Sequence, residues 1–173
     1  MEKEHFDRMM KSLVERDPQT MIAFLLRDAI YEGELDRELA LKTYEGELSP
    51  ELQARILEAD ELYHVLWNKE HIVLHLEFQR YGESEEMPRK VWECNALTSI
   101  ITGKLVYSVV IYGLPEPSIP EPVYEIRLPN GQVSQSFSFH LTKLWELEAE
   151  VLQQPQFVGL LPLLPLTKNG LRG

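Results

Sequence analysis

The chain has one cysteine, Cys94, so neither an intramolecular disulfide nor a cysteine-built zinc site can form. Basic charge is scarce as well. Lys and Arg number 17 against 28 Asp and Glu, a formal charge of −11, with no basic tract anywhere. That balance excludes indiscriminate attraction to nucleic-acid phosphates. No apolar run reaches the roughly 18 residues of a membrane helix, and no leader pattern opens the chain, so a soluble, cytoplasmic protein with no membrane partner is expected. The acidic excess is mainly N-terminal: residues 1–60 hold 8 basic and 15 acidic side chains, the rest 9 and 13.

Against these absences stands a chain of 173 residues that is 44% apolar, enough for one domain spanning 1–173 with a sizeable core. Phe6, Met9, Met10 and Leu13 recur at helical spacing and predict a helix over 4–16. Asp17-Pro18 then offers a cap and a first-turn proline for a second helix through Ala29. Residues 31–59 are acidic and weakly periodic, with Ser49-Pro50 as a helix start before ELQARILEA. Two β-like runs, over 60–67 and 71–80, flank Asn68-Lys69 and read as a hairpin.

Helix 86–102 follows, with Ser84 as its cap, Val91, Trp92, Ala96, Ser99 and Ile100 on one face and Gly103 at its exit. LVYSVVIYG is continuously apolar, as in a strand covered on both faces, and is read as a strand over 105–112. Beyond the connection LPEPSIPEP, VYEIRL and QVSQSFSF form a hairpin around Asn130-Gly131 that is expected to extend the sheet. A helix over 141–153 is expected to point Leu144, Trp145, Val151 and Leu152 inward, and Trp92 and Trp145 read as core residues. The prolines of the apolar tail FVGLLPLLPL prevent a regular helix there. There are no internal repeats and no linker.

The strand HIVLHLEFQR carries the chemistry. Ile72, Leu74, Leu76 and Phe78 alternate toward a core, which leaves Val73, His75, Glu77 and Gln79 on the other face. With a two-residue turn at Asn68 and Lys69, Trp67 opposes Glu70, and counting outward Asp60 opposes Glu77. Opposed like charges are unfavourable, so the pair reads either as a solvated strand face with mobile carboxylates or as hard-oxygen ligands for Mg²⁺ or Mn²⁺. His64 and His75 fall on a diagonal rather than opposite each other and have no further ligands, which argues against zinc.

FDRMMKSLV, Asp60 ahead of a strand, HLEFQ, MPRKVWECN, VVIYG, the PNG hairpin, KLWELEAEVL and LLPLLPLTKNG occur in that order. The chain thereby resembles the recombination-promoting nuclease and transposase-related family of the PD-(D/E)XK superfamily over nearly its whole length. HLEFQ followed by Met87 and Arg89 is the most specific part. The resemblance implies an α/β fold, a restriction-endonuclease-like α-β-β-β-α-β core whose mixed sheet is flanked by helices, with an added C-terminal hairpin and helix. It also implies metal-dependent cleavage of DNA, in which Asp60 and Glu77 are the metal carboxylates and Gln79 stands where the superfamily usually has lysine.

Gln79 orients through hydrogen bonds but brings no charge. Lys11 is the candidate to replace it, and the other reading of Lys11 is an ordinary i,i+4 pair with Asp7. Arg89, Arg80 and Lys90 are candidate substrate-binding residues, and with Lys11 they make a local basic rim. The expected function is a Mg²⁺-dependent DNA endonuclease linked to recombination or mobile elements, with room for homodimerisation. The alternative is a catalytically weak or inactive nuclease-like fold serving as an interaction module. Strand transfer in the strict transposase sense has no sequence feature behind it.

Overall fold

The computed structural model describes residues 3–80, 86–115 and 119–170. It is an α/β structure built on a mixed five-stranded sheet with helices on both faces. In chain order come α1 (Lys3–Arg16), α2 (Pro18–Leu25), β1 (Ile30–Glu34), α3 (Arg37–Thr43), α4 (Pro50–Leu57), β2 (Glu61–Trp67), β3 (Glu70–Gln79), α5 (Met87–Thr102), β4 (Val106–Tyr112), β5 (Val123–Arg127), β6 (Val133–Ser138), β7 (His140–Lys143) and α6 (Ala149–Leu152). Strand order is β1-β2-β3-β4-β7: the β1–β2 and β2–β3 pairs are antiparallel, while the β3–β4 and β4–β7 pairs are parallel.

The alternation along β3 sorts the two layers. Leu74, Leu76 and Phe78 face Phe6, Met10 and Val14 of α1 and Met21 and Ile22 of α2 in the larger core. Val73, on the opposite face, packs with Ile56 of α4 and with Cys94 and Leu97 of α5. The face of β3 that carries Val73, His75 and Glu77 is therefore buried under α5, and the solvated-face reading fails: His75 is 0% and Glu77 1% exposed. The hairpin register is the expected one, with Trp67 opposite Glu70 and Glu61 opposite Leu76. Its turn residues Asn68 (φ 48°) and Lys69 (φ 66°) are both left-handed, which is the geometry of a two-residue turn matched to strand twist.

Several expectations need correction. The second helix stops at Leu25 rather than Ala29, because Leu26 is extended and Asp28 turns left-handed (φ 65°) to feed β1. Residues 31–59 hold a strand and α3 that their weak periodicity hid. α5 turns Met87, Val91, Cys94, Leu97 and Thr98 inward instead of the face with Ile100, which is 55% exposed. Trp92 is only half-buried and packs on Tyr124 at 5.1 Å between ring centroids. The proposed cap Ser84 lies outside the described residues.

The β5–β6 hairpin forms a separate two-stranded sheet and does not extend the main one. The edge it would have joined is taken by β7, where a helix over 141–153 was expected. Leu144 and Leu152 are buried as that helix required, but a short 3₁₀ turn and the four-residue α6 present them. The open edge of β4 offers unpaired N–H and C=O groups, and satisfying them outweighs the helical periodicity of the segment. The apolar tail Pro155–Leu166 winds as 3₁₀ turns, in keeping with its prolines.

α1 docks closely at the end of β4. A Cβ on Gly113 would stand 2.5 Å from the ring of the fully buried Phe6. Gly113→Ala should therefore force that ring aside, costing about 1–3 kcal/mol and lowering the melting midpoint by roughly 2 to 12 °C. Thermal unfolding followed by circular dichroism measures this, and an unchanged midpoint would show that α1 yields freely.

Candidate functional site

The β2–β3 ladder ends at Glu61 and Leu76. One residue further out, the side chain of Asp60 takes over from the backbone: its Oδ2 accepts the N–H of Phe78 at 2.8 Å. This leaves the Asp60 carboxyl within hydrogen-bonding reach of Glu77, as the register implied. Its other oxygen, Oδ1, lies 3.2 Å from Lys11 Nζ of α1. Lys11 thus reaches across to the strand, beyond a simple pairing with Asp7 one turn away.

Glu77 is held from the opposite layer. Its Oε2 lies 3.2 Å from Lys90 Nζ of α5, and its Oε1 accepts a hydrogen bond from His75 Nε2 at 3.0 Å. The two carboxylates therefore meet at the end of the sheet with one ammonium from each helical layer. Asp60, Lys11 and Lys90 open this cluster toward solvent, with side chains 16%, 45% and 31% exposed, while Glu77 forms its floor.

Unequal compensation sets the electrostatics. Burial pushes the Asp60 carboxyl up and the adjacent Glu77 charge pushes it further, and the Phe78 N–H and Lys11 only partly offset them, so it titrates near 6. Burial also works against the Glu77 charge, but the hydrogen bond and charge of His75, then Lys90, outweigh it and hold the carboxyl down near 2. A proton entering the pair therefore resides on Asp60, which has one cationic neighbour where Glu77 has two. Burial opposes a charge on the His75 ring, and Cys94 and Glu77 outweigh it, so that pKa is raised.

The remaining sequence candidates are less central. Gln79 lies two residues beyond Glu77 on the same face, half-buried, and its carbonyl accepts the N–H of Gly113 at 2.8 Å. Arg80 follows directly after β3. Arg89 points outward, 65% exposed, and bonds Glu93 at 3.0 Å. Glu93 in turn bonds Arg55 of α4 at 2.6 Å. Arg55, Arg89 and Lys90, with Glu86 and Met87, line a cavity of about 240 Å³ at the start of α5. Sequence reasoning missed Arg55, which belongs to the weakly periodic N-terminal third. It also set His75 aside once zinc was discounted, although its place two residues before Glu77 on one strand face was a usable signal.

Among the described residues, no group of three or more His, Cys, Asp or Glu side chains is arranged to hold a metal. The donors present still fit a hard divalent cation. Mg²⁺ is commonly held by one or two carboxylates, the rest of its shell being water and substrate phosphate oxygens. A carboxyl whose ionisation is opposed by burial and by a neighbouring carboxylate marks a place where added positive charge is favourable. Among the described residues, no helix is long and apolar enough to cross a membrane. Compared with known proteins, the chain matches no family model, no curated protein and no solved structure.

Asp60→Asn tests the pair directly. The asparagine keeps an acceptor for Phe78 N–H and a donor toward Glu77 but cannot ionise. The raised folded-state pKa means that wild-type stability is fully present below the ordinary 3.8 and declines as pH rises through about 6. In the presence of chelator the variant should be the more stable protein above that range, by about 2 to 3 kcal/mol. The advantage should vanish as pH falls toward the ordinary carboxylate range, and comparing the two proteins cancels the separate titration of buried Glu61, pushed up to about 7. Urea unfolding across this pH range reads the effect, and a difference independent of pH would show that burial and Glu77 do not raise the Asp60 pKa.

Proposed function

We propose that this protein is a metal-dependent deoxyribonuclease of the restriction-endonuclease-like type, in which Asp60 and Glu77 hold Mg²⁺ or Mn²⁺ and hydrolyse phosphodiester bonds in DNA. The observation that carries the reading is the convergence of these two carboxylates, one on the entry to β2 and one on β3, between ammonium groups from α1 and α5. The element order α1-β1-β2-β3-α5-β4 supports it, with α2, α3 and α4 inserted and β5 to α6 added. So does the resemblance around HLEFQ and MPRKVWECN.

A divalent ion bound there would act as a Lewis acid on the phosphate and make a nearby water a stronger nucleophile at neutral pH. The chain supplies the rest. Glu77, fixed and charged, and Asp60, charged once its proton has left, provide the anionic oxygens. Lys11 and Lys90 provide the positive charge that Gln79 lacks, placed to stabilise charge growing on the phosphate oxygens. Arg55 and Arg89, beside Lys90, line a route for neighbouring phosphates and answer locally the overall charge of −11. Loss of the Asp60 proton near pH 6 sets a lower pH limit for metal binding.

A second reading rests on Gln79 and the net charge: a nuclease-like fold with little or no turnover that serves as an interaction module. One assay separates the two. Purified protein should nick or cut duplex DNA with Mg²⁺ or Mn²⁺ and stop with chelator. Asp60→Ala and Glu77→Ala should reduce cleavage to background without unfolding the protein. Lys11→Ala and Lys90→Ala should lower kcat roughly 100-fold or more with a smaller effect on DNA affinity, the scale of removing one preorganised charge-stabilising donor. Cleavage that survives both carboxylate substitutions would refute the site, and a cleanly folded protein that never cuts would favour the interaction module.

A further inference from the structure

Behind Glu77 runs a chain of buried polar side chains, ending at half-buried Asn95, that the nuclease reading does not require. Asn95 of α5 donates from Nδ2 to the carbonyl of Val106 at 2.8 Å and to Ser108 Oγ at 2.9 Å, which uses both of its amide hydrogens. Ser108 of β4 lies 3.0 Å from His75 Nδ1, and His75 Nε2 lies 3.0 Å from Glu77 Oε1. His75 is 0%, Glu77 1% and Ser108 4% exposed. The parallel register places His75 directly opposite Ser108, so the contact is built into the β3–β4 ladder.

The direction of the chain follows from donor counting. A charged carboxylate can only accept, so Nε2 must carry the hydrogen that joins His75 to Glu77. The Ser108 hydroxyl accepts from Asn95 and is free either to donate its own proton to Nδ1 or to accept one from it. Both ring states leave Nε2–H on Glu77, so the arrangement does not depend on how the ring is charged. Polar groups at this depth that are fully partnered specify one side-chain geometry, whereas an unheld glutamate retains three rotatable bonds.

We propose that Asn95, Ser108 and His75 are positioning residues that lock Glu77 with Oε1 turned inward on His75, leaving Oε2, on the Lys90 side, as a single-oxygen ligand for the divalent ion. This rests on the metal-site reading given under Proposed function. Oε2 already pairs with Lys90; without the chain Oε1 would lose its inward partner and swing toward the same ammonium, and the carboxylate would lose the fixed orientation a ligand needs.

The test is Mn²⁺ binding, read from the loss of the free-ion signal in electron paramagnetic resonance, at a fixed pH above the range in which Asp60 titrates. Wild type, Glu77→Gln, His75→Leu, His75→Gln and Ser108→Ala are compared after circular dichroism confirms each fold. His75→Leu should weaken Mn²⁺ binding about 10- to 100-fold, the usual effect of removing a partner that orients a ligand. Ser108→Ala should weaken it in the same direction by less, and His75→Gln, which keeps an N–H for Glu77, should recover most of the loss. Should His75→Leu fail to fold, Ser108→Ala and His75→Gln decide the matter. Wild-type binding that Glu77→Gln destroys but Ser108→Ala and His75→Leu leave intact would overturn the positioning chain and spare the metal site. Wild type that binds no Mn²⁺, or binds it equally after Glu77→Gln, would overturn the metal site and the chain together.

Discussion

Everything at the candidate site depends on the register of one hairpin. Asn68 and Lys69 adopt two successive left-handed conformations, and that turn makes Trp67 face Glu70 and brings Asp60 beside Glu77 at the far end. A slip of one residue would reverse every side chain of β3. It would drive Glu77 into the apolar layer under α1 and turn Leu76 and Phe78 toward α5. The cost of burying an uncompensated carboxylate there enforces the register as firmly as the turn does. A left-handed Lys69 is itself slightly unfavourable, since only residues without a Cβ enter that region freely. The ladder of β2 and β3 and the two cores it separates offset this.

The second constraint is charge. A carboxylate that is 1% exposed persists only with partners, and Glu77 has both a buried histidine and Lys90. Asp60 has Lys11 and a backbone N–H, which is less, and the deficit shows as a carboxyl that gives up its proton near neutral pH. Local charge at the site is thus nearly balanced inside a strongly acidic molecule, with the imbalance confined to one proton. An arrangement selected for stability alone would replace one acid with an amide. Keeping two acids here makes sense if a cation completes the set, and this is the physical content of the metal proposal.

The sequence disclosed those parts of the molecule whose signals are local. α1 and the β2–β3 hairpin follow from periodicity and a turn, β4 from its continuous apolar run, and the end of α5 from Gly103, though not its buried face; the Asp60–Glu77 pairing needed only the turn length. The C-terminal part resisted because HLTKLWELEAEVL has helical spacing, yet its first residues complete an open sheet edge and only four residues near its end are α-helical. No local pattern announces that β4 lacks a neighbour. Asn95 and Ser108 were invisible for the same reason: each is an ordinary polar residue until α5 and the parallel β3–β4 ladder bring both to His75. Arg55 lay in a stretch without clear periodicity, and only the packing of α4 against α5 brings it to Glu93.

The neutral residue at position 79 looks different once α5 is in place. A lysine there would share a face with Glu77, whose carboxylate Lys90 already occupies, so that two ammonium groups would compete for it. Like-charge repulsion and desolvation would oppose that third ammonium, because Glu77 already pairs with Lys90 and Asp60 with Lys11. With Gln79, the strand stays neutral and the helix delivers the cation, on a side chain 31% exposed and therefore able to lean toward either the carboxylate or a phosphate at the surface. Lys11 does the same from the other layer. Positive charge at this site is supplied by the docking of two helices against the sheet end, and the distance between α1 and α5 governs it more directly than any residue on β3.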